Sequence, residues 1–201
     1  MLADPVLVIV DLQYDYCKPG YAIDEADDVG HVQPAVERTS EFLDRYRATG
    51  RTPIIVRTHH DEQSNASTWE SMYADRPYDS LCEPKTKGAE LVPEIDRRES
   101  DVLITKHRYS GFYNTPLETY LSTNDVRHLL VAGVSTDVCV ESTVRDACNR
   151  GYEVTVLTDC TAASRPDVQE GTLGRLQKYF ADVRPAAEVE AALRPPESSD
   201  R

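Results

Sequence analysis

No stretch of the 201 residues holds the ~18 consecutive apolar side chains that a membrane-spanning helix requires. Met1-Leu2-Ala3-Asp4-Pro5 leads straight into an apolar strand pattern, without the basic start and apolar run of a leader segment, so a cytoplasmic protein is expected. Cysteine is sparse and odd in number, at positions 17, 82, 139, 148 and 160. No C-x-x-C occurs, and Cys139 and Cys148 fall too far apart along one helical pattern to bridge. A disulfide framework is thereby excluded, and a dithiol redox protein would lack its motif. Neither G-x-G-x-x-G nor G-x-x-x-x-G-K-[ST] follows any strand, so a nucleotide-binding protein would lack its phosphate cradle. Lysine occupies only positions 18, 85, 87, 106 and 178, and 22 basic residues face 35 acidic ones for a formal charge of −13. Such a surface repels phosphate backbones and anionic lipid, so neither nucleic acid nor a membrane is an expected partner.

What is present is an alternation of two periodicities. VLVIV (6–10), PIIV (53–56), DVLIT (101–105), HLLVAGV (128–134) and YEVTVLT (152–158) are short, apolar and rich in β-branched residues, the pattern of strands buried on both faces. Between them, Val32, Ala35, Val36, Thr39, Leu43 and Tyr46 recur on one helical face before Gly50. A second helix is predicted from Thr136 to Gly151 through Val140, Val144, Ala147 and Cys148. A third opens at Pro166 and carries Val168, Leu173, Leu176 and Phe180. Strands alternating with helices predict an α/β fold of three layers, a mostly parallel sheet with helices on both faces, in one domain over 1–201. Residues 59–99 break the alternation: polar, aperiodic and long, they predict an insertion or lid. The residues from Arg194 onward are predicted to form a frayed tail.

Open parallel sheets place ligands at the carboxyl ends of their strands. Asp11 ends strand 6–10, Lys106 ends strand 101–105, and Cys139 follows strand 128–134 by one turn. Each has an ordinary reading on its own: a turn cap, a solvated ammonium, a small packed thiol. Together they make a coherent catalyst. A thiol of pKa about 8.5 needs activation, which a helix start and a neighbouring ammonium supply by lowering that value. A carboxylate takes the proton during attack and returns it to the leaving amine.

These residues lie in VIVDLQYDYC (8–17), KHRYSGFYNTPLETYL (106–121) and GVSTDVCVESTVRDACNRGYEV (133–154). With TKGAEL (86–91), the blocks resemble those of the isochorismatase-like cysteine hydrolases, over about residues 6–184. That superfamily includes nicotinamidases, carbamoylsarcosine and ureidoacrylate amidases, biuret hydrolases and isochorismatases. The resemblance implies a Rossmann-like six-stranded sheet and the triad Asp11, Lys106 and Cys139. It also implies a cis peptide at Val134–Ser135, an oxyanion hole from the Ser135 and Cys139 N–H groups, and no cofactor. Homo-oligomers, dimers or tetramers, are common in the family and are expected here.

Departures from the family narrow the activity. Isochorismatases cleave a vinyl ether and typically lack the cysteine, so Cys139 favours hydrolysis of a small amide or ureide C–N bond. Vinyl-ether cleavage and a catalytically silent binding protein are the alternatives. Nicotinamidases carry a metal on an Asp-x-His pair, where this chain reads Thr58-His59-His60-Asp61-Glu62. Adjacent histidines on extended chain point opposite ways, so no metal is expected, and His59 and His60 are read as loop or pocket-rim residues. The resemblance places Tyr16 beside the substrate, with Gln13 in the same motif, either in the pocket or bracing the turn. Phe112 is taken as a second wall and Trp69, in the 59–99 segment, as a residue that closes over the site. Arg108 has two readings, a partner for a substrate carboxylate or a structural ion pair.

Overall fold

The structure, a computed structural model, describes residues 4–21, 29–65, 71 and 81–193. Six strands, β1 (Val6–Val10), β2 (Ile54–Thr58), β3 (Val102–Lys106), β4 (His128–Val134), β5 (Glu153–Ala162) and β6 (Asp182–Arg184), form one sheet in the order β3-β2-β1-β4-β5-β6. Every neighbouring pair is parallel. The helices are α1 (Tyr14–Cys17), α2 (Gln33–Ala48), α3 (Leu117–Thr123), α4 (Glu141–Asn149), α5 (Pro166–Tyr179) and α6 (Ala186–Ala192). None among the described residues is long and apolar enough to cross a membrane.

The two-residue period of the strands divides the core into two layers. Leu7, Ile9, Ile55, Leu130, Ala132 and Leu157 point to the face covered by α2 and α6. Val8, Val10, Ile54, Val56, Leu129, Val131 and Val156 point to the face covered by α3, α4 and α5. All seven residues of β4 are buried, which is why that segment is an unbroken apolar run. The stripe predicted on α2 is buried at every named position, and Phe42 joins it.

The fold differs from what the periodicity predicts in three respects. β2 and β3 each run to the polar residue past the apolar run, Thr58 and Lys106, because both are paired in register with one another. β5 continues to Ala162 through a bulge: it advances from Val156 to Thr161 while β4 advances from Val131 to Gly133. The third difference lies in the 59–99 segment, part of which is packed rather than lid-like. Val92 and Ile95 enter the core beneath α2, and Leu91 bridges antiparallel to Gln13. Main-chain bonds sew it to the turn after β1, with Tyr14 N–H donating to Glu90 O (3.0 Å), Asp15 N–H to Gly88 O (3.1 Å) and Val92 N–H to Leu12 O (3.0 Å). Trp69 and the tail from Arg194 lie outside the described residues.

Candidate active site

The chain runs outward from β1 to β2 and β3, then returns to β4 on the other side of β1. The switch point therefore lies where β1 and β4 end. Asp11 leaves β1 there in a left-handed conformation (φ 55°), which an aspartate tolerates better than most side chains, and its N–H still donates to Val56 O at 2.9 Å. On β4 the turn is shaped by Gly133 (φ 116°): a Cβ at this residue would lie 1.9 Å from Val10 O. Only glycine lets the two strand ends approach this closely. The Val134–Ser135 peptide that follows is cis. Residues Thr136–Val140 then form a wide π-helical turn ahead of α4, with Cys139 inside it. Thr143 Oγ1 donates to Cys139 O (2.7 Å) and accepts from Gly111 N–H (2.9 Å), which ties the turn to the loop after β3.

Asp11, Lys106 and Cys139 meet at this point. Lys106 Nζ lies 2.7 Å from Asp11 Oδ2 and 3.4 Å from Cys139 Sγ, bridging the carboxylate and the sulfur. Asp11 and Lys106 are each 1% exposed and Cys139 is 7% exposed, so the ion pair is almost dry. Burial works against the ammonium, yet Asp11 and the cysteine outweigh it and hold the Lys106 pKa above its ordinary value. The thiol behaves in the opposite way to the sequence expectation. Burial pushes its pKa up to about 12, with Asp11 adding to the rise and Lys106 opposing it. Desolvation of a thiolate outweighs the nearby ammonium and helix start.

Thr58, at the end of β2, was not foreseen as a site residue. Buried to 1% exposure, its Oγ1 donates to Asp11 Oδ1 at 2.9 Å and accepts from Lys106 Nζ at 2.6 Å. Lys106 Nζ also donates to Arg108 O at 3.1 Å. The available signal was positional: Thr58 closes a strand at the same sheet edge as the triad, two residues beyond the apolar run.

The other sequence candidates divide. Tyr16 is half-buried beside the triad: burial, then Cys82, Asp11 and Cys139, raise its pKa well above the ordinary tyrosine value. Gln13 is fully buried and holds backbone, its Nε2 donating to Thr58 O and Ala89 O, both at 2.9 Å, and its Oε1 accepting from Thr58 N–H at 2.7 Å. Of its two readings, bracing is the one the geometry supports. Phe112 is buried in the same apolar cluster as Cys139, and its ring packs on Tyr152 (centroids 5.8 Å apart) and under the Arg150 guanidinium (4.9 Å). Arg108 donates to Ser64 O at 2.9 Å and His107 O at 2.5 Å, backbone contacts rather than an ion pair among the described residues.

His60 is buried rather than at a rim, 8% exposed, with its N–H donating to Cys82 O at 3.2 Å. Its pKa is pushed down to about 4 by burial and by the Lys106 charge, so the ring is neutral at pH 7. His59 is half-buried, and its main chain receives Lys106 and His107: its N–H donates to Lys106 O (3.0 Å), and its O lies 2.8 Å from His107 Nδ1. Among the described residues no three His, Cys, Asp or Glu side chains gather as a metal cage.

The isochorismatase domain model matches residues 5–188. The chain belongs to the isochorismatase family. Ureidoacrylate amidohydrolase RutB of Methylorubrum extorquens is 34% identical over 94% of this chain and 82% of its own length. The protein of the same name from Enterobacter is 30% identical over 94% of this chain and 89% of its own. A cysteine hydrolase from Pseudomonas syringae pv. phaseolicola superposes with a TM-score of 0.82 at 28% identity, covering 93% of this chain and 91% of that one. As a member of the amidohydrolase branch, the chain is a cysteine-dependent hydrolase acting on a non-peptide C–N bond.

Proposed function

We propose that the chain hydrolyses the carbamoyl C–N bond of a small ureide through an S-thiocarbamate on Cys139, with Asp11 shuttling the proton and Lys106 holding the charge. The observation that carries this reading is a buried thiol and a buried carboxylate bridged by one ammonium at the sheet's switch point, Lys106 Nζ lying 3.4 Å from Cys139 Sγ and 2.7 Å from Asp11 Oδ2. A thiol in that state attacks only as a base removes its proton, and Asp11 is in place to be that base.

In the first half-reaction the Sγ proton moves to Asp11 as the S–C bond forms and the carbonyl electron pair shifts to oxygen. The Ser135 and Cys139 N–H groups receive this oxyanion. Collapse breaks the C–N bond, its electron pair goes to nitrogen, and Asp11 returns the proton to the leaving amine or ammonia. In the second half-reaction water gives a proton to Asp11 and its oxygen attacks the carbamoyl carbon. The S–C bond then breaks and the proton returns to sulfur. Lys106 remains charged throughout, compensating whichever of Asp11 or the sulfur is negative. Tyr16 forms an aromatic wall beside the thiol. The similarity to two ureidoacrylate amidohydrolases supports a ureide as substrate.

The test is ammonia release from 3-ureidoacrylate, an N-carbamoyl amino acid, biuret, nicotinamide and an aliphatic amide, with wild type and Cys139→Ala. Carbamate decomposes to ammonia, so cleavage on either side of the carbonyl is read. A ureido acid is expected to be the best substrate, and the variant to lose at least about 10³-fold in kcat while melting as a folded protein. Turnover retained by Cys139→Ala refutes the covalent route, and preference for nicotinamide refutes the ureide assignment.

A further inference from the structure

Hydrogen-bond arithmetic at Thr58 distinguishes the two oxygens of Asp11. An ammonium can only donate, so the 2.6 Å contact between Lys106 Nζ and Thr58 Oγ1 uses a lone pair of the hydroxyl. The single hydroxyl proton is then committed to Asp11 Oδ1, 2.9 Å away. Asp11 Oδ2 is 2.7 Å from Lys106 Nζ but accepts no directed hydrogen bond among the described residues. One carboxylate oxygen is fixed by a directed hydrogen bond, whereas the other faces the ammonium without one.

We propose that Thr58 is a positioning residue that divides these roles, fixing Oδ1 so that Oδ2 takes the proton from Cys139 Sγ. This rests on the reading of Asp11 as the general base. Sheet order explains why β2 supplies it. Lys106 ends β3, two strands and roughly 9.5 Å from the line of β1, and its side chain must cross the end of β2 to reach Asp11. The residue paired with Lys106 in that register is Thr58. A hydroxyl there accepts from the crossing ammonium and passes a hydrogen bond on to the carboxylate. The backbone of Thr58 is itself clamped from both sides by the Gln13 amide, through its N–H (2.7 Å) and its C=O (2.9 Å). Its hydroxyl position is set by the same turn that presents Asp11.

Thr58→Val keeps the shape and removes the hydroxyl, whereas Thr58→Ser keeps the hydroxyl. With the best ureide, Val is expected to lower kcat about 30-fold with KM within about 3-fold of wild type, and Ser to stay within about 3-fold in both. A second readout needs no substrate: the rate at which iodoacetamide alkylates Cys139, followed by mass spectrometry of its peptide, with Cys148 as internal control. Alkylation of Cys139 should slow about 10-fold in the Val variant and return with Ser, while Cys148 is unchanged, because the thiol reacts only as its proton is removed. Thr58→Ala takes the place of Val if Val does not fold. Wild-type kcat and alkylation in the hydroxyl-free variant, or a loss that Ser does not restore, would overturn the assignment. If wild type cleaves no ureide, the substrate reading fails, and the alkylation series still decides the role of Thr58.

Discussion

Gln13 sits two residues from the Asp11 carboxylate, yet its side chain is spent on main chain: three hydrogen bonds, to the N–H and C=O of Thr58 and to Ala89 O, with no exposure to solvent. It joins the turn after β1, the end of β2 and the packed part of the 59–99 segment at one point. Replacing it with leucine fills a similar volume but leaves one buried N–H and two buried carbonyls without these partners. Orphaned buried groups cost about 1–3 kcal/mol each, so Gln13→Leu is expected to lose on the order of 3 kcal/mol after relaxation. The measurement is a urea midpoint; a variant within about 0.5 kcal/mol of wild type would show that water replaces the amide without loss. Cys139 makes a related point about desolvation. A helix start and an ammonium were expected to lower its pKa, but burial outweighs both.

The triad is positioned by how strands end. β1 and β4 meet so closely that Gly133 has no room for a side chain, with Val10 O, N and C all within 2.7 Å of where a Cβ would stand. These neighbours are backbone within the central strand pair and cannot swing aside. Gly133→Ala is therefore expected to cost on the order of 3 kcal/mol or more and to separate Asp11 from Cys139. A thermal midpoint within a few degrees of wild type would count against it, since 1 kcal/mol moves the midpoint by about 2–4 °C in a domain of this size. Strands buried on both faces announce themselves as apolar runs, so β1 and β4 were legible, and with them the positions of Asp11 and Cys139. Lys106 was legible because β3, although a part-buried edge strand, still carries the apolar run Val102-Leu103-Ile104. Thr58 was not: the apolar run stops at Val56, and the order β3-β2-β1, which puts Thr58 between lysine and aspartate, leaves no trace in residue types. The three residues of β6 and the seven of α3 are too short for a period to emerge. The stretch 86–92 reads as loop because main-chain bonds, which carry no side-chain pattern, anchor it to residues 12–15. Composition also carries no sign that Phe112 packs between Arg150 and Tyr152.

At the scale of the whole molecule, acidification pulls stability in two directions. The formal charge of −13 means that protonating surface carboxylates relieves self-repulsion, which favours the folded state. Buried histidines act oppositely. Burial lowers the pKa of both His60 and His128, that of His60 to about 4, against about 6.5 in an unfolded chain. Between these values the unfolded state binds more protons, so the stability the neutral rings contribute is complete above about pH 6.5 and drains as pH falls toward 4. For His60 alone the loss from pH 7 to pH 5 is about 2 kcal/mol. Glu141, carried by Arg175 and Arg145 against its own burial, has a lowered pKa and begins to lose its contribution only below the ordinary carboxylate range, so it adds little at pH 5. Salt separates the opposing effects: at 1 M the screening length is about 3 Å, which suppresses surface repulsion and leaves a buried ring nearly untouched. The urea midpoint in high salt is therefore expected to fall from pH 7 to pH 5 by the equivalent of about 2 kcal/mol or more, and His60→Asn to flatten most of that slope. At low salt the fall should be smaller, because relief of repulsion offsets it. A midpoint in high salt that rises on acidification, or a slope unchanged in His60→Asn, would mean that the His60 ring gains its proton without opening the site around Lys106.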